Sequence, residues 1–262
     1  MRKPYFTPSL AVLAGWLSTA FLLIPFISLL LQVSWPSVWR VWVTSGGSPL
    51  VTSLWCTAIS MAVILFIGTP LGYYLAHGQG RAWIIIEFLL LIPLLMPPLV
   101  IGLLLMYFYG PYGFMGRVLS HFGLSASNTF LAVILAQLYE SIPYYVFAAQ
   151  AAFNQVDRRH ERVSLSLGVS PLRTMLYVTM PLASPGLIVG FAMAFARAIG
   201  AFGAVIVIAY YPNTLPVSIW IALSEQGLPG ALALTLLLVV IALPLPLASV
   251  VWRRFHSDRI SL

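Results

Sequence analysis

Six long apolar runs alternate with short polar segments along the 262 residues of the chain. The runs cover about residues 10–33, 52–76, 83–109, 129–152, 183–210 and 230–251. A helix needs about 20 mostly apolar residues to cross a bilayer, so each run is long enough to span one. The pattern therefore predicts an all-α membrane protein of about six transmembrane helices, folded as a single domain over residues 1–262.

Composition and charge agree with this class and add an orientation. Hydrophobic residues make up 61% of the chain and charged residues only 7%, against about 25% charged in soluble domains. The net charge of +7 comes from basic residues at the ends of the runs, and only Arg40 and Arg117 fall on the side opposite both termini. By the positive-inside rule we expect a multi-pass protein of the plasma (inner) membrane with both termini cytoplasmic. Contact with membrane lipid, not nucleic acid, explains the positive charge.

The sequence offers no residues for catalysis or for a metal site. Its six acidic residues and four histidines are scattered over different segments, and Cys56 is the single cysteine. The only lysine is Lys3, so the chain lacks the lysine that follows the glycines of a phosphate-binding loop. We therefore expect no catalytic residue, no metal and no cofactor in this chain. ATP hydrolysis, if it drives the protein, must occur in another polypeptide.

The polar segment 154–181 has the sequence signals of two short helices joined by a turn. Asp157 is a suitable N-cap for the first helix, and Gly168 is suited to end it in a left-handed conformation. Ser170 and Pro171 read as an N-cap followed by proline at the first helical position. Pro181 is expected to interrupt the pattern before the next apolar run.

This segment resembles the "EAA" loop of ABC-importer permeases. Gly168 is followed ten residues later by Val178-Thr179-Met180-Pro181, which matches the Gly and Ile-x-Leu-Pro end of that loop. Arg162-Val163-Ser164 stand at the Glu-Ala-Ala positions, and the nearest acid, Glu161, lies one residue early. The resemblance implies a type I ABC-importer permease whose cytoplasmic coupling helix docks into an ATPase. The coupling residues expected from it are Glu161, Arg162, Val163, Ser164, Gly168, Val178, Met180 and Pro181.

The same resemblance implies an assembly and a mechanism. The chain would form a homodimer with the translocation path at the subunit interface. Two cytoplasmic ATPase subunits would use Mg-ATP, and an external solute-binding protein would deliver the substrate. Segments 34–51, 110–128 and 211–229 are the candidate docking surfaces for that protein, with a plain solvated loop as the alternative for any single residue.

A second resemblance concerns the substrate. The stretch Phe195-Ala196-Arg197-Ala198-Ile199-Gly200-Ala201-Phe202-Gly203-Ala204 is similar to the fifth transmembrane segment of oxyanion permeases. Those permeases often carry Glu where this chain has Ala201. The resemblance implies molybdate or tungstate first and sulfate second, with permeases for thiamine, ferric iron or phosphonate as related alternatives.

Two charged residues lie near the middle of apolar runs, Glu140 in the fourth and Arg197 in the fifth. Each would cost about 2.5–3.5 kcal/mol at the centre of a membrane helix, so each must face protein or water. Three interpretations of Arg197 stay open: an ion pair with Glu140, a residue lining the anion path, or a side chain satisfied by carbonyls and water. We hypothesise that Glu140 supplies the counter-charge. In a secondary transporter, the rival class, Glu140 would instead carry a proton.

Small residues share one helical face with Arg197, because Gly186, Gly190, Ala194, Arg197 and Ala201 recur at spacings of four and three. Such a stripe lets helices approach closely. The candidate pathway residues are Arg197, Glu140, Gly190, Ala194 and Ala201.

Two features of the third run also leave alternatives. Its prolines Pro93, Pro97 and Pro98 indicate either a packing kink or a broken helix that lines the pathway. Glu87 lies near the cytoplasmic end of the run, where we expect it to snorkel to the interface or, second, to contact the ATPase or the coupling loop. The preceding segment, residues 77–81, reads as a tight polar turn.

Overall fold

The computed structural model describes residues 8–33, 36, 38–39, 43 and 47–260, and the side chains of these residues between 10 and 252. The described part of the chain is helical, with short turns and loops between the helices. We number the helices in chain order: α1 Pro8–Gln32, α2 Gly47–His77, α3 Arg81–Leu95, α4 Pro98–Tyr109, α5 Phe114–His121, α6 Phe130–Asn154, α7 Arg158–Ser166, α8 Pro171–Thr174, α9 Met180–Ile199, α10 Gly203–Ile208, α11 Leu215–Gln226, α12 Leu228–Ala242 and α13 Pro244–Ile260.

The predicted number of spans agrees with the described helices. Five stretches are long and apolar enough to cross a membrane: Leu10–Gln32, Gly47–His77, Phe130–Asn154, Pro171–Ile208 and Leu228–Trp252. The pair α3 and α4 makes a sixth if it is counted as one span. The all-α membrane fold expected from the apolar runs is therefore confirmed. Much of the first external stretch, 34–51, lies outside the described residues.

Helix α6 is the centre of the bundle, and it packs between α2 and α9. Buried residues from these three helices form one core at the half of α6 that ends at Asn154, with Tyr145, Phe153 and Ile64 as the largest members. A second core at the other half joins α6 to α4 and α10. Lipid supplies no hydrophobic force between helices, so close van der Waals packing and buried hydrogen bonds must hold this bundle together.

The third apolar run is a broken helix, which is one of the two alternatives that its prolines left open. Helices α3 and α4 meet at a bend of 111° between Leu95 and Pro98. Pro97 has an extended ψ of 138° and Pro98 begins the next helix, where its missing N–H costs no hydrogen bond. Two prolines in succession thus stop one helix and start another in a new direction. Whether the break lines the pathway stays a prediction.

The fifth run departs from the expected pattern at both ends. Pro181 does not interrupt it, because a π-helical turn, Met175–Thr179, joins α8 to α9 without a break. Met180 N–H bonds to Met175 O across that turn, and the proline follows in the first turn of α9, where no N–H is needed. The expectation of an interruption at Pro181 is wrong. The run breaks instead at residues 200–202, between α9 and α10.

That second break allows α10 to lie against α4 at very short range. A Cβ on Gly203 would come within 2.6 Å of Pro98 Cβ, and one on Gly102 within 2.9 Å of the Ala204 backbone. Real side chains do not approach so closely, so both positions require glycine. The short helix α10 is therefore held against the second half of the broken α3–α4 pair.

Candidate functional site: coupling segment and intramembrane ion pair

The segment after α6 folds as the sequence signals predict. Asp157 is the N-cap of α7 and its carboxylate accepts a hydrogen bond from Arg159 N–H at 2.9 Å. Gly168 has a φ of +82°, and Val169 N–H bonds back to Ser164 O at 3.2 Å, as in a glycine C-cap. Ser170 stands at the N-cap of α8, although its side chain makes no capping bond there. The predicted helix–turn–helix of the coupling segment is confirmed.

The two sides of α7 have different surroundings. Arg162 and Val163 point away from the bundle, and Val163 is 58% exposed. The exposed apolar surface continues over Leu167, which is 78% exposed, and Leu172 of the next helix, which is 66% exposed. We call these four exposed residues, three apolar and one basic, the coupling face.

The other side of α7 is buried against the bundle. Ser164 Oγ lies 2.9 Å from Thr174 Oγ1, so the two helices of the segment are joined by a hydroxyl pair. Glu161 is buried as well, and Thr179 Oγ1 donates to its Oε1 at 2.7 Å. Of the predicted coupling residues, Glu161 and Ser164 therefore face inward. Val178 and Met180 are partly buried, and Pro181 is exposed.

Glu161 also reaches the end of a transmembrane helix. His77 Nε2 lies 2.9 Å from Glu161 Oε2 and 3.1 Å from Oε1. Beside this contact, Arg158 Nη2 donates to Ala76 O at 2.9 Å. The sequence placed His77 only in a polar turn, and it missed this contact because 84 residues separate the two side chains. The tight turn itself is present, with Gly80 at a φ of +110°.

The intramembrane charges form the ion pair that was one of three open interpretations. Arg197 Nη2 lies 2.8 Å from Glu140 Oε2, and the Glu140 side chain is fully buried while that of Arg197 is 31% exposed. Ala204 N–H donates to the other carboxylate oxygen at 3.3 Å. The guanidinium carbon also stands 5.9 Å from the centre of the Tyr144 ring. Glu140 supplies the counter-charge, as the sequence suggested.

The break in the fifth run explains why the pair is placed here. Arg197 occupies the last turn of α9, where the helix dipole favours a cation, although the sequence had placed it near mid-span. Ala204 lies in the first turn of α10, where N–H groups have no partner inside the helix. The carboxylate of Glu140 therefore interacts with both sides of the break. Continuous helix through residues 200–202 would remove both interactions.

The small residues of α9 pack against α6 inside the same chain. A Cβ on Gly190 would meet Ala148 Cβ at 2.7 Å, and one on Gly186 would meet Ala152 Cβ at 2.5 Å. Ala194 is buried too, whereas Ala201 is buried in the break after α9 and is not on the helical face predicted for it. The close helix approach expected of the stripe is present at Gly186 and Gly190. The pathway role of Gly190, Ala194 and Ala201 stays a prediction.

Two further contacts position helices near the site. Gln150 Nε2 of α6 donates to Glu87 Oε1 of α3 at 3.2 Å, so Glu87 has a partner within the bundle. Gln137 of α6 bridges Ser60 and Thr57 of α2 with hydrogen bonds of 2.9 and 3.0 Å. Among the described residues, no group of three or more His, Cys, Asp or Glu side chains is placed to hold a metal ion.

The described residues form a bundle of membrane-spanning helices that holds an ion pair, Arg197–Glu140, within its apolar spans. The chain belongs to the family of binding-protein-dependent transport system inner membrane components, whose model matches residues 68–261. Family membership makes the chain a transport subunit of an inner membrane system.

Named relatives cover most of the chain. The molybdenum transport system permease protein ModB of Mycobacterium tuberculosis is 34% identical over 247 residues, which are 92% of this chain and 93% of that one. A probable molybdenum ABC transporter permease of Haloferax volcanii is 40% identical over 190 residues, or 72% and 69% of the two chains. The molybdate/tungstate permease WtpB of Pyrococcus furiosus is 30% identical over 73% of this chain and 72% of its own.

Solved structures with the same fold come from ABC importers. A chain of a bacterial alginate ABC transporter, in complex with an alginate-bound periplasmic protein, aligns with a TM-score of 0.67 at 16% identity, over 95% of this chain and 94% of that one. A chain of the MetNI methionine ABC transporter in an inward-facing conformation aligns with a TM-score of 0.63 at 17% identity, over 85% and 98%. The fold is that of type I ABC-importer permeases.

Proposed function

We propose that this chain is the permease of an ATP-driven importer that moves molybdate or tungstate, delivered by an external binding protein, across the inner membrane. The choice of substrate rests on sequence similarity to three permeases that are named for molybdenum, or for molybdate and tungstate. One of these relationships extends over 92% of the chain, including the fifth run with Arg197. Sulfate is the second candidate, because it is a smaller tetrahedral oxyanion of the same charge.

The coupling face supports the role of an ATPase partner. Val163, Leu167 and Leu172 are exposed apolar residues on a segment that also carries four arginines, and exposed apolar patches mark interaction sites. In the proposed assembly this face docks into a groove of a cytoplasmic ATPase, which binds and hydrolyses Mg-ATP. Two copies of the chain pair around the pathway, and each copy holds one ATPase. Both termini then lie in the cytoplasm.

Arg197 is the side chain that we assign to the pathway. Its side chain is 31% exposed, whereas that of its partner Glu140 is buried, so an anion passing this point would meet the cation first. Because Glu140 already neutralises much of the charge, the attraction is weak. Conduction requires a site that is favourable enough to enter and weak enough to leave, and a paired arginine meets both needs. Gly190 and Ala194 keep α9 packed on the core around α6, which fixes the position of Arg197, and Ala201 is buried in the break that follows.

The secondary-transporter alternative has less support. A proton carrier must release its proton and take it up again, but Glu140 is held by Arg197 and by the backbone of Ala204. Membership of a binding-protein-dependent family also favours an external binding protein over an ion gradient. Thiamine, ferric iron and phosphonate stay alternative substrates for a permease of this fold.

The test is ATPase stimulation in the reconstituted complex. The chain is co-expressed with the ATPase of its operon, purified by a tag on the chain, and placed in nanodiscs with the binding protein. We expect hydrolysis to rise with molybdate- or tungstate-loaded binding protein and to stay low with the sulfate-treated protein. Stimulation by sulfate alone would reassign the substrate. Failure of any ATPase to co-purify with the unmodified chain under gentle detergent conditions would remove the importer proposal itself.

A further inference from the structure

We propose that His77 is a coupling residue, which ties the coupling segment to the transmembrane helix α2 through the buried carboxylate of Glu161. The inference rests on the proposed ATP-driven function and adds a residue that the coupling motif does not contain. In this arrangement Glu161 acts on the membrane helices, and not on the ATPase surface.

The geometry places Glu161 at a junction of three elements. Its carboxylate belongs to α7, and it accepts from His77 at the end of α2 and from Thr179 at the π-helical turn that leads into α9. Each of these contacts is shorter than 3.0 Å, at 2.9 and 2.7 Å. A movement of α7 therefore acts on two transmembrane helices at once. One of them, α9, carries Arg197.

His77 is itself held firmly, which a transmitting contact requires. Its Nδ1 lies 2.9 Å from Tyr73 O, and its ring stacks on the Tyr73 ring with centroids 4.2 Å apart. Tyr73 in turn packs edge-on against Phe153 of α6, at 5.4 Å. Both ring nitrogens therefore have a partner, Tyr73 O and the Glu161 carboxylate, and the ring cannot turn without losing one of them.

A second hydrogen bond between α7 and α2 fixes the orientation of the two helices relative to each other. Arg158 Nη2 donates to Ala76 O, one of the last carbonyls of α2, which have no partner inside the helix. Arg158 and Glu161 of α7 thus both bond to the end of α2, and the two bonds together oppose rotation and sliding of α7 relative to α2. A single bond would leave α7 free to rotate about it. The coupling face lies on the opposite side of α7, so force applied there reaches His77 through a short, rigid helix.

The experiment uses the complex of chain, ATPase and binding protein in nanodiscs, with His77→Ala, Glu161→Gln and the double variant. The matched control is Glu87→Gln, which also removes a carboxylate bonded between helices at the same end of the bundle but does not touch α7. Three quantities are measured: the amount of ATPase that co-purifies, its basal hydrolysis, and the stimulation by loaded binding protein. Substrate uptake per ATP is then measured in proteoliposomes.

We expect His77→Ala and Glu161→Gln to retain the ATPase and its basal hydrolysis but to lose stimulation by about 5-fold or more, within the usual range of coupling between sites. The double variant should be no worse than the more affected single variant, because both changes act on one contact: His77→Ala removes it and Glu161→Gln takes away its charge. Glu87→Gln should keep its stimulation. Thr179→Val, which removes one hydroxyl and keeps the side-chain shape, should give a smaller loss of the same kind.

Other results would overturn the inference. Stimulation equal to that of Glu87→Gln in both single variants would remove His77 from coupling. Additive losses in the double variant would show that the two residues act separately. Loss of the ATPase from the purified variants would make the contact a docking or folding element. If the unmodified complex also shows no stimulation, the proposed function itself fails. If only the variants behave otherwise than expected, the inference about His77 fails and the proposed function stands.

Discussion

In the ion pair of Arg197 and Glu140, we expect the two single substitutions to cost different amounts of stability. Replacing Arg197 with Met leaves the fully buried Glu140 charge without its counter-ion, whereas replacing Glu140 with Gln leaves an arginine that is 31% exposed. The Gln side chain also keeps an oxygen for Ala204 N–H. Arg197→Met should therefore destabilise the protein much more than Glu140→Gln.

The magnitude follows from the burial of the carboxylate. Removing one partner of a buried pair costs about 3–5 kcal/mol, because the remaining charge is desolvated and unpaired. In a chain of this size about 1 kcal/mol shifts the unfolding midpoint by roughly 2–4 °C, so Arg197→Met should lower it by roughly 6–20 °C. The double variant, which has no buried charge, should regain most of the loss.

The chain carries its own reporter for this measurement. Cys56 is the single cysteine and is fully buried in the core formed by α2, α4, α6 and α10. A thiol-reactive fluorophore labels it only when the bundle opens, so labelling against temperature gives the midpoint for each variant. Equal midpoints for Arg197→Met and Glu140→Gln, or losses that simply add in the double variant, would refute the reasoning, since either result means that the pair is not coupled.

Three further predictions concern the backbone and the packing of the bundle. Gly168→Ala should destabilise the coupling segment by only about 1 kcal/mol, because the cost is that of the left-handed φ of +82° and a Cβ there meets nothing within 4 Å. Gly168→Pro should abolish ATPase co-purification. Equal retention of the ATPase by Gly168→Pro and by the unmodified chain would contradict this. Gly190→Val should cost about 1–3 kcal/mol in the labelling assay by overpacking against Ala148, whereas Gly15→Val, in open space, should cost little; similar midpoints for the two variants would show that the helices do not meet closely. Gln137→Leu should cost about 1–3 kcal/mol, because Thr57 loses its partner and Ser60 keeps only a long bond of 3.5 Å to Ile134 O. An unchanged midpoint would argue against the hydrogen bonds assigned to Gln137.

Local sequence signals predicted the coupling segment well because each is a property of a few adjacent residues. A left-handed glycine at 168 and an aspartate cap at 157 depend on backbone conformations that neighbouring residues impose. The expectation about Pro181 failed for a related reason. A proline ends a helix only when the preceding carbonyls lack another arrangement, and here a π-helical turn supplies one.

The ion pair was predicted as one of three alternatives, because the high free-energy cost of a charge in lipid leaves few possible environments for it. A charge in lipid needs a partner, and Glu140 and Arg197 were the two charged residues near the middle of apolar runs. The sequence did not reveal that the pair lies at a break between α9 and α10. That break depends on α10 packing against α4, which a one-dimensional pattern does not contain.

Hydropathy by itself determined the class, the number of spans and the position of the segment between α6 and α9, because the cost of burying polar backbone and charge in lipid acts on every residue independently. Tertiary structure decided which side of α7 faces inward, that Glu161 meets His77 across 84 residues, and that the small stripe of α9 packs on α6. These outcomes depend on pairs of helices approaching within van der Waals distance. Such distances are set by the shapes of both partners together, so neither helix encodes them alone.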